Sequence, residues 1–364
     1  MKHTLLLIFL FFSFSTFAES RIRWYNPQES SGYYIQNQGW NEDGGNYHRL
    51  PDRAKGKVRD AVWNLSCHSS GLSVRFISDS ERITVRYQVS GGLSMPHMPS
   101  TGISGIDMYR KTEGEEQICY GKYSFKDTIC YEYEITAMPD KSGKGEFEVF
   151  LPLYNEVKWL EIGVKENSFF EFIPVEKTKP IVVYGTSIAQ GACASRPAMA
   201  WGSIIRRKMN RPLINLGFSG NGKLEPEVID FINELDAEIY IIDCMPNMND
   251  YSSEEVKALF EKAVRQIRMK HDAPVLLVEH AGYSNSKTNA ERNRSYLGHN
   301  KGLNAAYKSL LKENVKDLFY VSNEELNFHY DSWVDYVHPS DYGMMQQAEV
   351  LIDKIENILN DRRF

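Results

Sequence analysis

The sequence predicts a molecule of two parts: an antiparallel β domain of sandwich, jelly-roll-like type, followed by an α/β domain built on a parallel five-stranded sheet. Three observations carry this. From Arg21 to about Val175 apolar and polar residues alternate with period two between turn residues, the pattern of half-buried strands. Beyond Lys179, short apolar runs rich in β-branched residues alternate with stretches of helical spacing, the signature of a parallel sheet covered on both faces. Between the two, Ile173-Pro-Val-Glu-Lys-Thr-Lys-Pro180 breaks both patterns with two prolines and two lysines. The boundary is therefore placed there, with residues 21–175 as the first domain and 179–364 as the second.

In the first domain, Leu72–Ile77 and Ile83–Val89 alternate around Ser78-Asp-Ser-Glu81, which reads as a hairpin. Phe147–Leu151 and Val157–Val164 repeat the theme around Pro152–Glu156. In the second, the expected strands are Ile181–Tyr184, Leu213–Leu216, Ile239–Cys244, Val275–Glu279 and Leu318–Val321. Helical spacing runs through Glu225–Leu235, Glu254–Met269, Asn304–Glu313 and Asp341–Leu359.

Met1–Ser20 opens with Lys2 and His3, continues as an apolar core from Leu5 to Phe12 and passes through Ser-Thr-Phe-Ala18. That is the layout of a secretory signal, so residues 1–18 are expected to be a signal peptide and the protein to be secreted or periplasmic. The apolar core is shorter than the ~20 residues that span a bilayer, and no later segment approaches that length, so no stable membrane insertion is expected. A net charge of −6 argues against a nucleic-acid partner, whose phosphates require basic patches.

The cysteines are Cys67, Cys119, Cys130, Cys193 and Cys244. Cys119 and Cys130 flank what reads as a hairpin, and in an oxidising compartment they either close a short loop or stay free. Cys193 and Cys244 read as buried free thiols. There is no Cys-x-x-Cys or His-x-x-x-His spacing with which to build a zinc site, and neither a metal nor an organic cofactor is predicted.

Chemistry concentrates at the ends of the later strands. Pro180-Ile-Val-Val-Tyr-Gly-Thr-Ser-Ile-Ala-Gln-Gly191 places Ser187 just past the carboxyl end of a buried strand, where open α/β sheets put their ligands. A serine hydroxyl needs a base to become a nucleophile, and Asp335-Tyr-Val-His338 offers base and orienter together. Gly217-Phe-Ser-Gly-Asn221 and Pro246-Asn247 follow the second and third strands on the same edge. His329 and Asp331 form a second acid–histidine pair nearby, and Glu279-His280 is expected to line the pocket. Arg196, in the loop after Ser187, either fixes that loop by binding a carboxylate, the favoured role, or reaches a substrate oxygen.

With Gly185-Thr-Ser187, Asn215-Leu-Gly-Phe-Ser-Gly220, Asn247 and Asp335-x-x-His338 in order, the chain from about Lys179 to Phe364 resembles the SGNH, or GDSL-like, hydrolases. The resemblance implies a flavodoxin-like three-layer α/β/α fold. It implies Ser187 as nucleophile, His338 as general base and acid, and Asp335 as orienter of the imidazole. It also implies an oxyanion hole made by the backbone N–H groups of Ser187 and Gly220 and the side-chain amide of Asn247. Gly105-Ile-Asp-Met-Tyr109 looks like the Gly-x-Asp-Leu-Tyr motif of a β domain that precedes such hydrolases in bacterial secreted proteins; there Asp107 and Tyr109 are expected to hold a turn or the domain interface. Two departures stand out: Thr186 replaces the usual Asp before the serine, and Met245-Pro-Asn-Met248 replaces Gly-x-Asn-Asp.

The expected function is a serine esterase that removes short acyl groups, acetyl foremost, from carbohydrate, with an acylated carbohydrate or other small ester as its partner. A lysophospholipase or thioesterase and a glycan-binding protein without catalysis are the alternatives.

Overall fold

A computed structural model describes residues 21–40, 46–112, 115–137 and 143–362. The expected signal peptide, residues 1–18, lies outside the described residues. The first half carries strands β1 (Ile22–Tyr25), β2 (Ile35–Gln36), β3 (Ser73–Ser78), β4 (Arg82–Val89), β5 (Asp107–Thr112), β6 (Glu115–Cys119), β7 (Gly121–Ser124), β8 (Ile129–Glu134), β9 (Gly145–Phe150), β10 (Val157–Lys165) and β11 (Phe170–Phe172). Two short helices, α1 (Asp60–Ser66) and α2 (Ser100–Ile103), interrupt them. One antiparallel sheet has the order β1-β10-β4-β8-β7 and the other β11-β3-β9-β5-β6, with β2 added against β3.

Alternation does its expected work here, because Val74, Phe76, Ile83, Val85, Phe147, Val149, Leu160 and Ile162 meet in one buried core between the sheets. The hairpin readings, however, are corrected. Strands β3 and β4 lie in different sheets, as do β9 and β10, so each short connection carries the chain across the core instead of back along its own sheet. Around β3–β4 the crossing is fixed by Ser80, whose N–H bonds Ser78 Oγ and whose own Oγ donates to the Arg82 carbonyl. Period-two alternation tells which face of a strand is buried and says nothing of its partner. For the same reason Cys119, at the end of β6, and Cys130, in β8, stand in different sheets, and all five cysteines are free thiols.

The second half carries β12 (Ile181–Gly185), β13 (Leu213–Gly217), β14 (Ile239–Asp243), β15 (Val275–Val278) and β16 (Leu318–Val321). They form a parallel sheet of order β13-β12-β14-β15-β16. Its helices are α3 (Ser187–Gln190), α4 (Trp201–Met209), α5 (Pro226–Ile232), α6 (Ser253–Arg268), α7 (Ala290–Lys312), α8 (Asn323–Leu326) and α9 (Asp341–Asp361). Each strand is apolar on both faces because each face is covered. Val182, Tyr184 and Ile242 pack with Val228, Phe260 and Leu303 of α5, α6 and α7, while Ile181, Val183 and Ile241 pack with Ile204 and Leu351 of α4 and α9.

Helix α7 begins fourteen residues before the periodicity suggests, capped by the Asn289 side chain on the Arg292 N–H; its first turns are polar and carry no apolar stripe to read. The halves are also fused. Trp40, Leu50, Val62 and Trp63 belong to the core on one face of the parallel sheet, and Met98, Ile103, Leu153 and Tyr154 to the core on the other. No helix among the described residues is long and apolar enough to cross a membrane.

Candidate active site

Because β12 lies between β13 and β14, the chain leaves it in opposite senses on its two sides, and a crevice opens at the carboxyl ends of these strands. Gly185 ends β12 where a Cβ would fall 2.5 Å from Ala189 Cβ, so the chain can turn there only without a side chain. Thr186 follows in extended conformation and caps α3 by accepting the Ile188 N–H at 3.3 Å. Its hydroxyl thus takes over a local role from the acid usual at this place. Ser187 is the first residue of α3 and is buried.

Ser187 Oγ lies 3.0 Å from His338 Nε2, and His338 Nδ1 lies 2.7 Å from Asp335 Oδ2. The segment that brings them is closed by a bridge between Trp333 and Pro339 and by the Val334 N–H on the His338 carbonyl at 2.9 Å. Asp335 Oδ1 accepts the N–H groups of Val337 and His338, both at 2.8 Å. Burial alone would raise the Asp335 pKa, but those backbone donors and the imidazole together hold it below the usual aspartate value. Helix α9 starts immediately afterwards, capped by Ser340. The Asp341 carboxylate reaches back to the Ser195 N–H at 2.8 Å and its hydroxyl at 2.5 Å, tying the segment that carries His338 to the loop after Ser187.

The second loop is locked by close approach. A Cβ on Gly217 would meet Gln190 N at 2.4 Å, and one on Gly222 would meet the Gly185 carbonyl oxygen at 2.2 Å. Asn215 Nδ2 donates to the Ala189 carbonyl at 2.7 Å, and the Ser219 N–H to Gln190 Oε1 at 3.0 Å. Gly220, exposed at the tip, has φ of 67°, a conformation suited to glycine. In the third loop Asn247 Oδ1 accepts the Gly222 N–H at 3.0 Å, which turns its amide nitrogen the other way. Among the described residues, Ser187 N–H, Gly220 N–H and Asn247 Nδ2 donate to no protein acceptor. Met245 and Met248, which flank this loop, are both fully buried in the helix-covered core, so apolar anchors hold it where an acid is usual.

Other expected residues fall elsewhere. Glu279 and His280 are both buried: Glu279 accepts from the Tyr320 hydroxyl and the Asn323 N–H, and His280 Nδ1 accepts the Gly282 N–H. Desolvation lowers the His280 pKa to about 3. His329 sits 3.9 Å from Asp331 and 3.3 Å from the Tyr342 hydroxyl. Arg196 binds Asp107 Oδ2 at 3.1 Å and the Tyr109 hydroxyl at 2.8 Å, and the Ala198 N–H bonds the same carboxylate at 2.8 Å. The start of β5, within the Gly105–Tyr109 motif, therefore grips the segment downstream of Ser187.

Several residues at the site have no sequence signal. Tyr154 donates to the Ser187 carbonyl at 3.3 Å. Gln190 Nε2 reaches the Leu153 carbonyl at 3.2 Å and His68 Nδ1 at 3.1 Å, and Ser70 Oγ donates to the Gln190 carbonyl at 2.6 Å. The buried Arg49 guanidinium spends its donors on the carbonyls of Leu65, His68, Asn215 and Gly217. His97 stacks on His338 with ring centres 5.8 Å apart and planes at 22°. Its only mark in the sequence is a position between two prolines in Met95-Pro-His-Met-Pro99.

The three-layer fold and these edge loops define an SGNH-type hydrolase. Comparison with known proteins agrees: the GDSL-like lipase/acylhydrolase family matches residues 178–356, and the N-terminal domain of SGNH-hydrolase-type esterases matches residues 22–170. By these matches the second half is a GDSL-like lipase/acylhydrolase domain and the first half the β domain that precedes SGNH-hydrolase-type esterases. A crystal structure of a GDSL-like lipase from Bacteroides ovatus is 28% identical, covers 93% of this chain and 98% of its own, and superposes with a TM-score of 0.85. The salicylyl-acyltransferase SsfX3 from a tetracycline biosynthetic pathway shares the fold at 17% identity and a TM-score of 0.72, over 93% and 97% of the two chains. A family two carbohydrate esterase from Cellvibrio japonicus does so at 14% identity and a TM-score of 0.57, over 93% and 98%. No curated protein matches the chain in sequence.

Proposed function

We propose that this protein is a serine esterase that removes short acyl groups, acetyl foremost, from carbohydrate. The observation that carries the reading is the single line of hydrogen bonds from Ser187 Oγ through the His338 ring to Asp335. In the proposed reaction His338 Nε2 takes the Ser187 proton as Oγ adds to the ester carbonyl, and Asp335 steadies the imidazolium that results. The oxyanion receives the unpartnered N–H groups of Ser187 and Gly220 and the Asn247 amide. Collapse expels the sugar hydroxyl, protonated by His338, and water repeats the sequence to free the acid.

The likeness to carbohydrate esterases of the same fold supports the choice of sugar esters, and the leader-like stretch Leu5–Phe12 supports action outside the cytoplasm. Two measurements test the reading. A fluorophosphonate probe labels wild type and not Ser187→Ala, and acetate is released from acetylated glycans by wild type alone. A folded wild type that resists the probe overturns the mechanism. Activity that rises with acyl chain length overturns the short-chain assignment in favour of a lysophospholipase or thioesterase.

A further inference from the structure

We infer that His97, Cys193 and His338 form an inhibitory site for a thiophilic transition metal ion, Zn²⁺ foremost, at the mouth of the active site. One ligand atom from each residue lies within 4.8 Å of the other two. The three come from separate parts of the chain: a turn of the β half closed by the Met95–Met98 bridge, the loop after α3, and the loop before α9.

The donor set fits the ion. Two imidazoles and a thiolate suit zinc and copper and reject magnesium and calcium. Around a tetrahedral zinc such atoms stand roughly 3.5 Å apart, and the exposed His97 side chain is the one with freedom to close the difference. Cys193 is held at φ of 68° with Sγ 3.5 Å from the His97 carbonyl oxygen, so backbone geometry keeps the thiol beside the histidine.

The orientation of His338 fits as well. Asp335 occupies its Nδ1, leaving the lone pair of Nε2 facing Ser187. A carboxylate behind the distal nitrogen is how proteins orient histidines that bind zinc. On binding, the Cys193 proton leaves to solvent, sulfur and two ring nitrogens bond the metal, and the Ser187 hydroxyl loses its acceptor. No electron changes hands. Inhibition follows because the lone pair that would take the serine proton is engaged, a consequence that rests on the catalytic reading above. Metal binding itself does not rest on it.

The test uses the full chain, freed of metal with a chelator and titrated with zinc chloride while hydrolysis of a short-chain ester is followed. Zinc is expected to stop turnover and chelator to restore it. Each measured against its own metal-free rate, Cys193→Ser and His97→Ala are expected to need about tenfold more zinc, or beyond, for the same fractional inhibition. Cobalt chloride gives the second readout: a thiolate-to-cobalt charge-transfer band in wild type and in Ser187→Ala, absent from Cys193→Ser. That band separates the two proposals, since it survives even if Ser187→Ala proves active. Absence of inhibition, equal inhibition of all three proteins, or cobalt binding without the thiolate band overturns the site.

Discussion

The β half and the α/β half serve the same few atoms in different ways. The α/β half supplies every group proposed to touch the ester: Ser187, Gly220 and Asn247 follow β12, β13 and β14, and His338 with Asp335 follows β16. The β half supplies the grip. Tyr154 holds the Ser187 carbonyl, Leu153 and His68 hold Gln190, and Arg49 holds the carbonyls of Asn215 and Gly217. The contrast teaches that reactive loops can come from one sheet edge while their rigidity comes from another sheet altogether. A loop held through buried hydrogen bonds on both sides costs no reorganisation when charge develops, which is the condition for a strong oxyanion site.

If that division is right, substitutions in the two halves separate rate from stability. The largest effect belongs to the α/β half: Asp335→Asn should lower kcat by about 10⁴-fold with the thermal midpoint little changed, because it misdirects the imidazole tautomer. Steady-state kinetics beside thermal melts read this, and a loss below tenfold would break the assignment. Asn247→Ala comes next, costing about 10²–10³-fold in kcat, or ~3 kcal/mol of transition-state stabilisation. A change in KM alone would place the amide on the substrate rather than on the oxyanion.

In the β half the order reverses. Arg49→Met removes a donor from four carbonyls, those of Asn215 and Gly217 buried and those of Leu65 and His68 partly so, of which only Leu65's is seen to keep another donor, the His68 N–H. Each unsatisfied group costs about 1–3 kcal/mol, offset in part by relief of guanidinium desolvation, so urea unfolding should show a net loss of roughly 3 kcal/mol. The rate per folded molecule should stay within tenfold; a selective fall in rate would put Arg49 in the chemistry.

Asp243 sharpens the point from inside the α/β half. It ends β14, fully buried with Gln347 Nε2 at 3.0 Å, and desolvation raises its pKa to about 7. Between the ordinary value of 3.8 and about 7 the folded state keeps a proton that the unfolded chain has lost. Stability therefore declines as pH rises through that window, by up to about 1.4 kcal/mol per pH unit. Asp243→Asn should flatten the profile. Smallest of all is Tyr154→Phe, which removes one long hydrogen bond to the Ser187 carbonyl and should cost about 1 kcal/mol of stability with a change in kcat of only a few-fold.

What could be read from the amino acids divides along the same line. The parallel sheet was legible because each of its strands is a short apolar run ended by glycine or a polar turn. Ser187, Asn247 and Asp335-x-x-His338 stood out because each sits just beyond such a run or within one short segment. The pairing in the β half was not legible, since Phe76 and Ile83 alternate identically whether their strands are neighbours or face each other across a core. Nor were Arg49, Ser70 and His97, whose partners lie far along the chain in segments of no shared pattern. The early start of α7 escaped notice for a simpler reason: a polar helix face carries no period.

The order in which the reactive groups occur along the chain has its own consequence. The hydroxyl at 187 is seated within the first two-thirds of the sequence, whereas the imidazole proposed to take its proton arrives only at 338. A polypeptide interrupted anywhere in that interval keeps an alcohol no more reactive than any other serine. On the proposed mechanism, chemical competence therefore waits until the chain has run through His338, and translation that stops before that loop yields a product without the base.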